Sequence, residues 1–316
     1  MPDEGLDSLL RRLESEPENP WSAPSRFGAP GRLARALLRR LLRPYEVRQR
    51  ETQRELVRAV MAMREIVLPG AERLVVLESP SRRHGSAEQG PSRRVLCSLG
   101  IGPYVDILAV SSLTFEAYAA RHGYDLVLST EPIAPERPPA WQKIALARRL
   151  LDSYEDVLWI DADAIFLDIS RDVADLVRPG KDLYLVEHVW EGGRARSANT
   201  GVFLIRATDW SRSFLDRVWA AEQWVDHPWW ENAAILDMLG YAVPPDLSPP
   251  YKARASDLEE RVELLPAEWN STEGEAAVAA PRIRHRGRRG STEALRDELV
   301  EDLLEFRRGL SRRRAN

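Results

Sequence analysis

The chain of 316 residues is 44% hydrophobic and carries 45 Lys and Arg against 49 Asp and Glu, for a net charge of -4. This composition predicts a soluble globular protein with one large domain or two smaller ones, and the balanced charge argues against a nucleic-acid partner. The single cysteine, Cys97, excludes an internal disulfide, and the sequence has no signal-peptide pattern or membrane-length apolar run, so we expect a cytoplasmic protein.

The first 70 residues differ in composition from the rest. Residues 1–30 contain five prolines among acidic and small residues, a pattern typical of a mobile segment. Residues 31–70 show helical periodicity and predict a helical extension, which begins with the amphipathic helix 32–43. Because its leucines share one face and its arginines the other, this helix either packs on the protein core or makes a peripheral contact with an anionic membrane.

Residues 71–316 alternate between strand and helix patterns. Short apolar runs predict strands over 73–77, 94–99, 125–129, 156–160, 182–187 and 201–206. Helical periodicity predicts helices over 111–122, 141–151, 209–224 and 228–239, and a last helix that carries Leu295, Leu299, Leu303 and Phe306. This alternation predicts an α/β domain with a mainly parallel sheet flanked by helices.

The predicted strand 156–160 is followed at once by two carboxylates, Asp161 and Asp163. Ligands of open α/β sheets bind beyond the carboxyl ends of the strands, and residues two apart on a strand face the same side, so both carboxylates can meet one ligand. Because like charges repel unless a cation compensates them, the pattern favours Mg²⁺ or Mn²⁺ and a phosphorylated ligand. The plain alternative is a pair of solvated loop aspartates.

Four segments of the sequence occur together in a recognisable order. They are WQKIALARRLLDSYEDVLWIDADAIFLD, NTGVFLIRATDW, HPWWENAAILDML and a late histidine, His285. In order and approximate spacing they resemble the galactosyl/mannosyl transferase family, glycosyltransferase family 34. The resemblance implies a GT-A-like fold, Mn²⁺ (or Mg²⁺) as cofactor, a UDP- or GDP-linked sugar as donor and a carbohydrate or glycoconjugate acceptor. It also implies that a hexose or pentose is transferred with retention of anomeric configuration.

The resemblance assigns Asp161, Asp163 and His285 to the metal, and a neutral imidazole suits Mn²⁺. His285 lies in the arginine-rich stretch RIRHRGRR. One or more of the arginines that follow His285 in this stretch would neutralise the diphosphate; they are Arg286, Arg288 and Arg289. The sequence departs from the family here, because Gly287 comes two residues after the histidine and the family's cysteine is absent. Which arginine meets the diphosphate therefore stays open.

Two further stretches match family positions. Lys143 falls in the first turn of its predicted helix, where a cation opposes the helix dipole, so we expect a phosphate or an acidic residue beside it. The alternative for Lys143 is a side chain that extends into solvent. The triplet Asn199, Thr200 and Gly201 is expected to open a strand on the acceptor side. Its polar side chains would hydrogen-bond sugar hydroxyls, and its glycine would allow close approach of the backbone. The alternative for the triplet is an ordinary turn before a strand.

The segment WWEN near the start of the predicted helix 228–239 holds the candidate catalytic residues. The family has an acid followed by Gln here, so Glu231 is the candidate nucleophile or charge stabiliser, and Asn232 is one methylene shorter than the family's amide. Retention by a covalent carboxylate intermediate and retention by same-face attack both stay open. Trp230 is a candidate for stacking on a sugar ring, with a core position as the alternative.

Two other functions remain as alternatives. A phosphohydrolase of the haloacid dehalogenase type also begins from an apolar strand that ends in Asp-x-Asp, with Asp161 as its nucleophile. A catalytically inactive relative could serve as a binding module. The Ala- and Arg-rich composition is typical of a bacterial enzyme, a homodimer stays open, and the sequence does not identify the donor sugar, the base or the acceptor.

Overall fold

The computed structural model describes residues 75–76, 94–190, 195–272, 278–287 and 290–315. The predictions for residues 1–30, 31–70 and helix 32–43, and those for Arg288 and Arg289, lie outside the described residues. The described strands are β1 Val75–Val76, β2 Arg94–Leu99, β3 Asp125–Ser129, β4 Asp156–Ile160, β5 Ala164–Phe166, β6 Leu183–Val189, β7 Arg196–Arg206, β8 Tyr241–Ala242, β9 Tyr251–Lys252, β10 Val262–Leu265, β11 Ser271–Thr272 and β12 Ile283–His285. The described α-helices are α1 Tyr104–His122, α2 Gln142–Leu150, α3 Asp209–Trp219, α4 Trp230–Met238 and α5 Thr292–Ala315.

Seven strands form the central sheet, in the order β1-β3-β2-β4-β7-β6-β10. All neighbouring strands in it run parallel except at β7, which is antiparallel to both β4 and β6. The apolar runs of β2, β3, β4, β6 and β7 are buried, as expected for strands covered on both faces. The predicted α/β class with a mainly parallel sheet flanked by helices is confirmed.

The bounds of three predicted strands, β2, β3 and β4, match the structure. The predicted strand 201–206 is the second half of β7, which begins at Arg196 because it continues along β6 beyond a bulge between Leu185 and Val186. The triplet Asn199–Gly201 therefore lies inside a strand and does not open one. Its side chains are fixed by the sheet.

A second, three-stranded sheet lies beside the carboxyl end of β4. Its order is β11-β12-β5, with β12 antiparallel to β5 and parallel to β11. Each of these strands has two or three residues, so none carries a periodic signal in the sequence. The pairing places His285 opposite Ala164, directly after the second aspartate.

The helices differ from prediction mainly at their ends. Helix α1 begins at Tyr104, seven residues before the predicted 111, and ends at Gly123, whose φ of 72° suits a left-handed cap. Helix α3 ends at Trp219, and a separate 3₁₀ turn follows over Glu222–Trp224. The apolar face predicted for the last helix is buried in α5. None of the described helices is long and apolar enough to cross a membrane.

Candidate active site

The two aspartates converge through a tight turn at the end of β4. The backbone N–H of Ala164 donates to the carbonyl of Asp161 at 3.0 Å, which closes the turn. Residues 161–163 are thus outside the strand, so strand alternation, from which we predicted their convergence, is not the cause. The buried hydroxyl of Ser111 on α1 donates to the carbonyl of Ala162 at 2.7 Å and anchors the turn to that helix.

His285 completes a cluster of three metal-ligating side chains. One ligand atom each from Asp161, Asp163 and His285 lies within 4.8 Å of the others. His285 Nε2 lies 3.2 Å from Asp163 Oδ1 and 4.0 Å from Asp161 Oδ2. The backbone N–H of Arg286 donates to the carbonyl of Asp163 at 3.0 Å, which fixes β12 against the turn. Two carboxylates and an imidazole form a donor set that fits Mn²⁺ well and Mg²⁺ less well.

The charges in this cluster depend on one another. Burial alone would raise the pKa of the Asp163 carboxyl, but the imidazole of His285 holds that pKa below its ordinary value. Burial alone would lower the pKa of His285, and Asp163 reverses this and raises it. In the absence of a cation each of these two side chains therefore favours the charged form of the other, and a divalent cation would take the place of this contact.

Lys143 bridges the metal cluster and the candidate catalytic acid. Its Nζ lies 2.8 Å from Asp161 Oδ1 and 2.9 Å from Glu231 Oε1, so the acidic neighbour that we expected from its place in the helix is confirmed. Burial would lower the pKa of Lys143, but the two carboxylates outweigh burial and raise it. The two carboxylates therefore favour the charged form of Lys143, and the phosphate that we also expected beside it stays a prediction.

Glu231 lies in the first turn of α4 and is 2% exposed. Its Oε1 accepts from the hydroxyl of Thr200 at 3.2 Å, whereas its buried Oε2 has no hydrogen-bond partner among the described residues. Burial raises the pKa of Glu231 against the opposing effect of Lys143. A buried carboxylate oxygen without a partner is costly, and such atoms are concentrated at functional sites.

The triplet in β7 serves as scaffold for these groups. The side-chain oxygen of Asn232, Oδ1, accepts from the backbone N–H of Thr200 at 3.1 Å, which joins α4 to β7. Asn199 Oδ1 accepts from the backbone N–H of Gly201 at 2.7 Å. A Cβ at Gly201 would lie 2.4 Å from Cε1 of His285, so the close approach that we predicted for this glycine is made by the histidine ring.

Asn270 belongs to the site and has no signal in the sequence. It is 1% exposed and follows the 3₁₀ turn Ala267–Trp269. Its Nδ2 donates to Asn199 Oδ1 at 2.7 Å, and its Oδ1 lies 2.9 Å from Nδ1 of His285. An isolated amide in the stretch PAEWNST shows no pattern, and only the pairing of β11 with β12 places it beside the histidine.

Trp230 is the most strained residue near the site. It has a φ of 44° and is 38% exposed, and left-handed backbone at a bulky residue costs of order 1–3 kcal/mol. Its neighbour Trp229 is partly buried against Trp190, with ring centroids 5.4 Å apart. Of the two tryptophans in this segment, Trp230 is thus the one that presents ring surface to solvent.

Arg286 is turned towards the last helix. Its guanidinium donates to both carboxylate oxygens of Asp302 on α5, at 2.7 and 2.6 Å. Arg284, on the other side of His285, bonds the same carboxylate. The Nε and Nη2 of Arg286 thus contact Asp302, and the role at a diphosphate that we predicted for Arg286 stays a prediction.

Comparison with known proteins places this site in a family context. Residues 140–269 match a family model described as nucleotide-diphospho-sugar transferase. Galactomannan galactosyltransferase 1 of Cyamopsis tetragonoloba is 31% identical over 112 residues, which are 33% of this chain and 25% of the relative. Xyloglucan 6-xylosyltransferase 4 of Arabidopsis thaliana is 32% identical over 135 residues, which are 39% of this chain and 25% of the relative.

The chain thus spans a quarter of the length of these plant relatives. Among solved structures, a glycosyltransferase involved in the glycosylation of the major capsid of PBCV-1 aligns with a TM-score of 0.48 and 14% identity, over 66% of this chain and 99% of that one. The matched family model and the curated relatives confirm the predicted resemblance: within this chain, residues 140–269 are similar to nucleotide-diphospho-sugar transferases.

Proposed function

We propose that this protein is a metal-dependent, retaining glycosyltransferase that moves a hexose or pentose from a nucleotide-diphosphate sugar to an acceptor hydroxyl. The observation that carries the proposal is the convergence of Asp161, Asp163 and His285 within 4.8 Å. This cluster is at the carboxyl end of a central strand, where open α/β sheets bind ligands, and its aspartates lie in the segment that matches nucleotide-diphospho-sugar transferases.

The three side chains would hold Mn²⁺ or Mg²⁺. They fit such an ion because both oxygen ligands are carboxylates, and because Nδ1 of His285 bonds Asn270, which leaves Nε2 facing the carboxylates. When bound, the ion would act as a Lewis acid that offsets the charge growing on the diphosphate leaving group. The contact of His285 Nε2 with Asp163 Oδ1 would keep these groups in place before the donor binds.

Glu231 is the group that we assign to the sugar. Departure of the diphosphate leaves positive charge on the anomeric carbon, which a nearby carboxylate can stabilise or attack. Lys143 and Thr200 fix Oε1 of Glu231, and Oε2 is the oxygen left for the sugar. Covalent retention and same-face attack both remain compatible with this arrangement.

Trp230 is our candidate for stacking on a sugar. Its exposed ring is at the start of the helix that carries Glu231, and aromatic faces bind the apolar faces of sugar rings. Its strained backbone supports a role in binding, because such strain is concentrated at ligand sites. A carbohydrate or glycoconjugate acceptor follows from the family and stays part of the proposal.

The phosphohydrolase alternative is not favoured. It would use Asp161 as nucleophile, yet Asp161 Oδ1 accepts from the indole N–H of Trp159 at 2.7 Å and also pairs with Lys143. The family model that matches residues 140–269 is one of sugar transferases. Peripheral membrane contact through residues 32–43, cytoplasmic location and a homodimer stay proposals that rest on the sequence.

The test is turnover with a panel of UDP- and GDP-linked sugars, with Mn²⁺ and after chelation. We expect one donor to release its nucleotide diphosphate only with metal, and NMR of the product to give the donor's own anomeric configuration. Inversion would remove the retaining part of the proposal. Release of inorganic phosphate from simple monoesters, without turnover of any nucleotide sugar, would favour the phosphohydrolase.

A further inference from the structure

A chain of hydrogen bonds leads from the backbone of β7 to the ring of His285. The backbone N–H of Gly201 donates to the side chain of Asn199, which contacts Asn270, which in turn contacts Nδ1 of His285. The three distances are 2.7, 2.7 and 2.9 Å, and Asn270 and His285 are 1% and 8% exposed. All three contacts join groups of the protein itself.

The direction of each bond in this chain follows from its first member. A backbone N–H can only donate, so the Asn199 atom that faces Gly201 must be the carbonyl oxygen. That oxygen can only accept, so Asn270 must present its NH₂ group to it. The carbonyl oxygen of Asn270 is then the atom facing His285, and Nδ1 of the ring must carry a proton. The backbone thereby settles an orientation that side-chain amides leave ambiguous when taken alone.

We propose that Asn270 is a positioning residue that fixes the tautomer and ring orientation of His285, with Asn199 holding its amide the right way round. With the proton held on Nδ1, the lone pair of the neutral ring is on Nε2, the nitrogen that faces Asp163 and Asp161. Metal-bound histidines commonly donate their second ring N–H to such a partner. This inference deepens the proposed function and rests on its metal site.

These hydrogen bonds also give Asn199 a role in supporting His285. Its carbonyl oxygen already accepts two hydrogen bonds, from Gly201 and from Asn270, and these fill both lone pairs. That oxygen is therefore not available to a sugar hydroxyl, and the NH₂ group of Asn199 is the part of the side chain left for the role that we predicted. The triplet Asn199–Gly201 also holds the metal-binding histidine through its first and last residues.

The test is Mn²⁺ affinity of the full chain, measured by the EPR signal of free Mn²⁺ in the absence of nucleotide. Asn270→Ala removes the acceptor for Nδ1–H, so we expect Mn²⁺ to bind about 10- to 100-fold more weakly. Asn270→Asp keeps an acceptor for Nδ1–H and loses the donor to Asn199. We therefore expect the change in log Kd for Mn²⁺ in Asn270→Asp to be at most half of the change in Asn270→Ala. The second readout is ¹⁵N NMR of the Mg²⁺-loaded protein, where His285 should keep its proton on Nδ1 in wild type and populate both tautomers in Asn270→Ala.

The control for lost structure is Tyr184→Phe. It removes a buried hydroxyl that bonds the backbone of Arg178 and Lys181, away from the metal cluster. We expect this variant to lose stability without losing Mn²⁺ affinity. Wild-type Mn²⁺ affinity in Asn270→Ala, or equal weakening in Asn270→Asp and Asn270→Ala, would overturn the inference alone. Failure of the wild-type protein to bind Mn²⁺ would overturn the proposed function as well.

Discussion

The ring of His285 fills the space that a side chain at Gly201 would need. A Cβ built at Gly201 lies 2.4 Å from Cε1 and 2.5 Å from Nδ1 of His285, closer than any real contact. The backbone of Gly201 is not left-handed, so the need for glycine here is entirely steric. Strand β7, which holds the triplet Asn199–Gly201, therefore packs closely against His285 of β12 at the metal cluster.

Gly201→Ala should push the imidazole out of its position. We expect Mn²⁺ affinity to fall by at least about 10-fold, because misplacing a metal ligand is as damaging as losing the partner that orients it. Calorimetric titration with Mn²⁺ measures the change. Gly309→Ala in α5 is the control, since its nearest contact is a carbonyl 4.0 Å away and Ala favours a helix. Unchanged affinity in Gly201→Ala would contradict the steric account.

Lys143→Met should strongly destabilise the protein. The change leaves the buried carboxylate of Glu231 and the nearby Asp161 without their shared cation, and breaking a buried pair in this way costs about 3–5 kcal/mol. The free energy of unfolding in urea at pH 7 measures it. Arg178→Met is the control, because the Arg178 side chain is exposed and its ion pair with Glu263 is at 3.9 Å, so its loss should cost less than about 1 kcal/mol. Equal stability of the two variants would show that the Lys143 bridge contributes little.

Glu231→Gln should lower turnover more than donor binding. The change keeps the shape of the side chain and removes the charge that we assign to the anomeric carbon, so we expect turnover to fall by at least about 100-fold. Donor affinity should stay within a few-fold, since the diphosphate is held elsewhere. Steady-state kinetics with the active donor measures both, with Glu263→Gln on β10 as control. If turnover stays within 10-fold of wild type, Glu231 serves only as a partner of Lys143.

Asp172→Asn tests the hydrogen bonds to a buried carboxylate that lies against α1. Burial would raise the pKa of Asp172, but the backbone N–H of Ala174 and the hydroxyls of Tyr124 and Tyr118 hold it below its ordinary value of 3.8. Because the native pKa is lowered, the stability from this carboxylate is complete above pH 3.8 and is lost as the pH falls through the native value. We expect Asp172→Asn to cost about 2 kcal/mol at pH 7.

That cost should shrink as the pH falls below 3.8, where wild type loses the same charge. Urea unfolding at a series of pH values measures the difference between the two proteins. Asp209→Asn, which changes a fully exposed side chain, should show no such trend. A difference that stays constant down to the lowest pH would mean that the pKa of Asp172 is the same in the folded and the unfolded protein, which contradicts the account.

The strands that lead to the site could be predicted, because their apolar runs are continuous and bounded by polar residues. The run 156–160 gave both the bounds of β4 and the place of the two aspartates. The acidic surroundings of Lys143 could also be predicted, since a cation in the first turn of a helix opposes the helix dipole and favours an acidic neighbour. These features depend on residues close to one another in the sequence.

The rest of the site depends on contacts that the sequence does not encode locally. Strand β12 has three residues and forms only because β5, more than a hundred residues earlier, accepts it. Asn270 becomes part of the site through the pairing of β11 with β12. Opposite the step from Leu185 to Val186 of β6, strand β7 carries extra residues and then continues to pair, so it begins five residues before the predicted strand. The triplet that we expected to open a strand therefore lies in its interior. No periodicity could have given these three results.

The most direct test of the proposed function is calorimetric binding of UDP and GDP, with and without Mn²⁺, to wild type, Asp163→Asn and Asp209→Asn. Our account predicts that one of the two nucleotides binds to wild type and to Asp209→Asn only when Mn²⁺ is present, and that Asp163→Asn abolishes this binding. If neither nucleotide binds to wild type with Mn²⁺, or if Asp163→Asn binds as tightly as wild type, the metal cluster is not a nucleotide-diphosphate site.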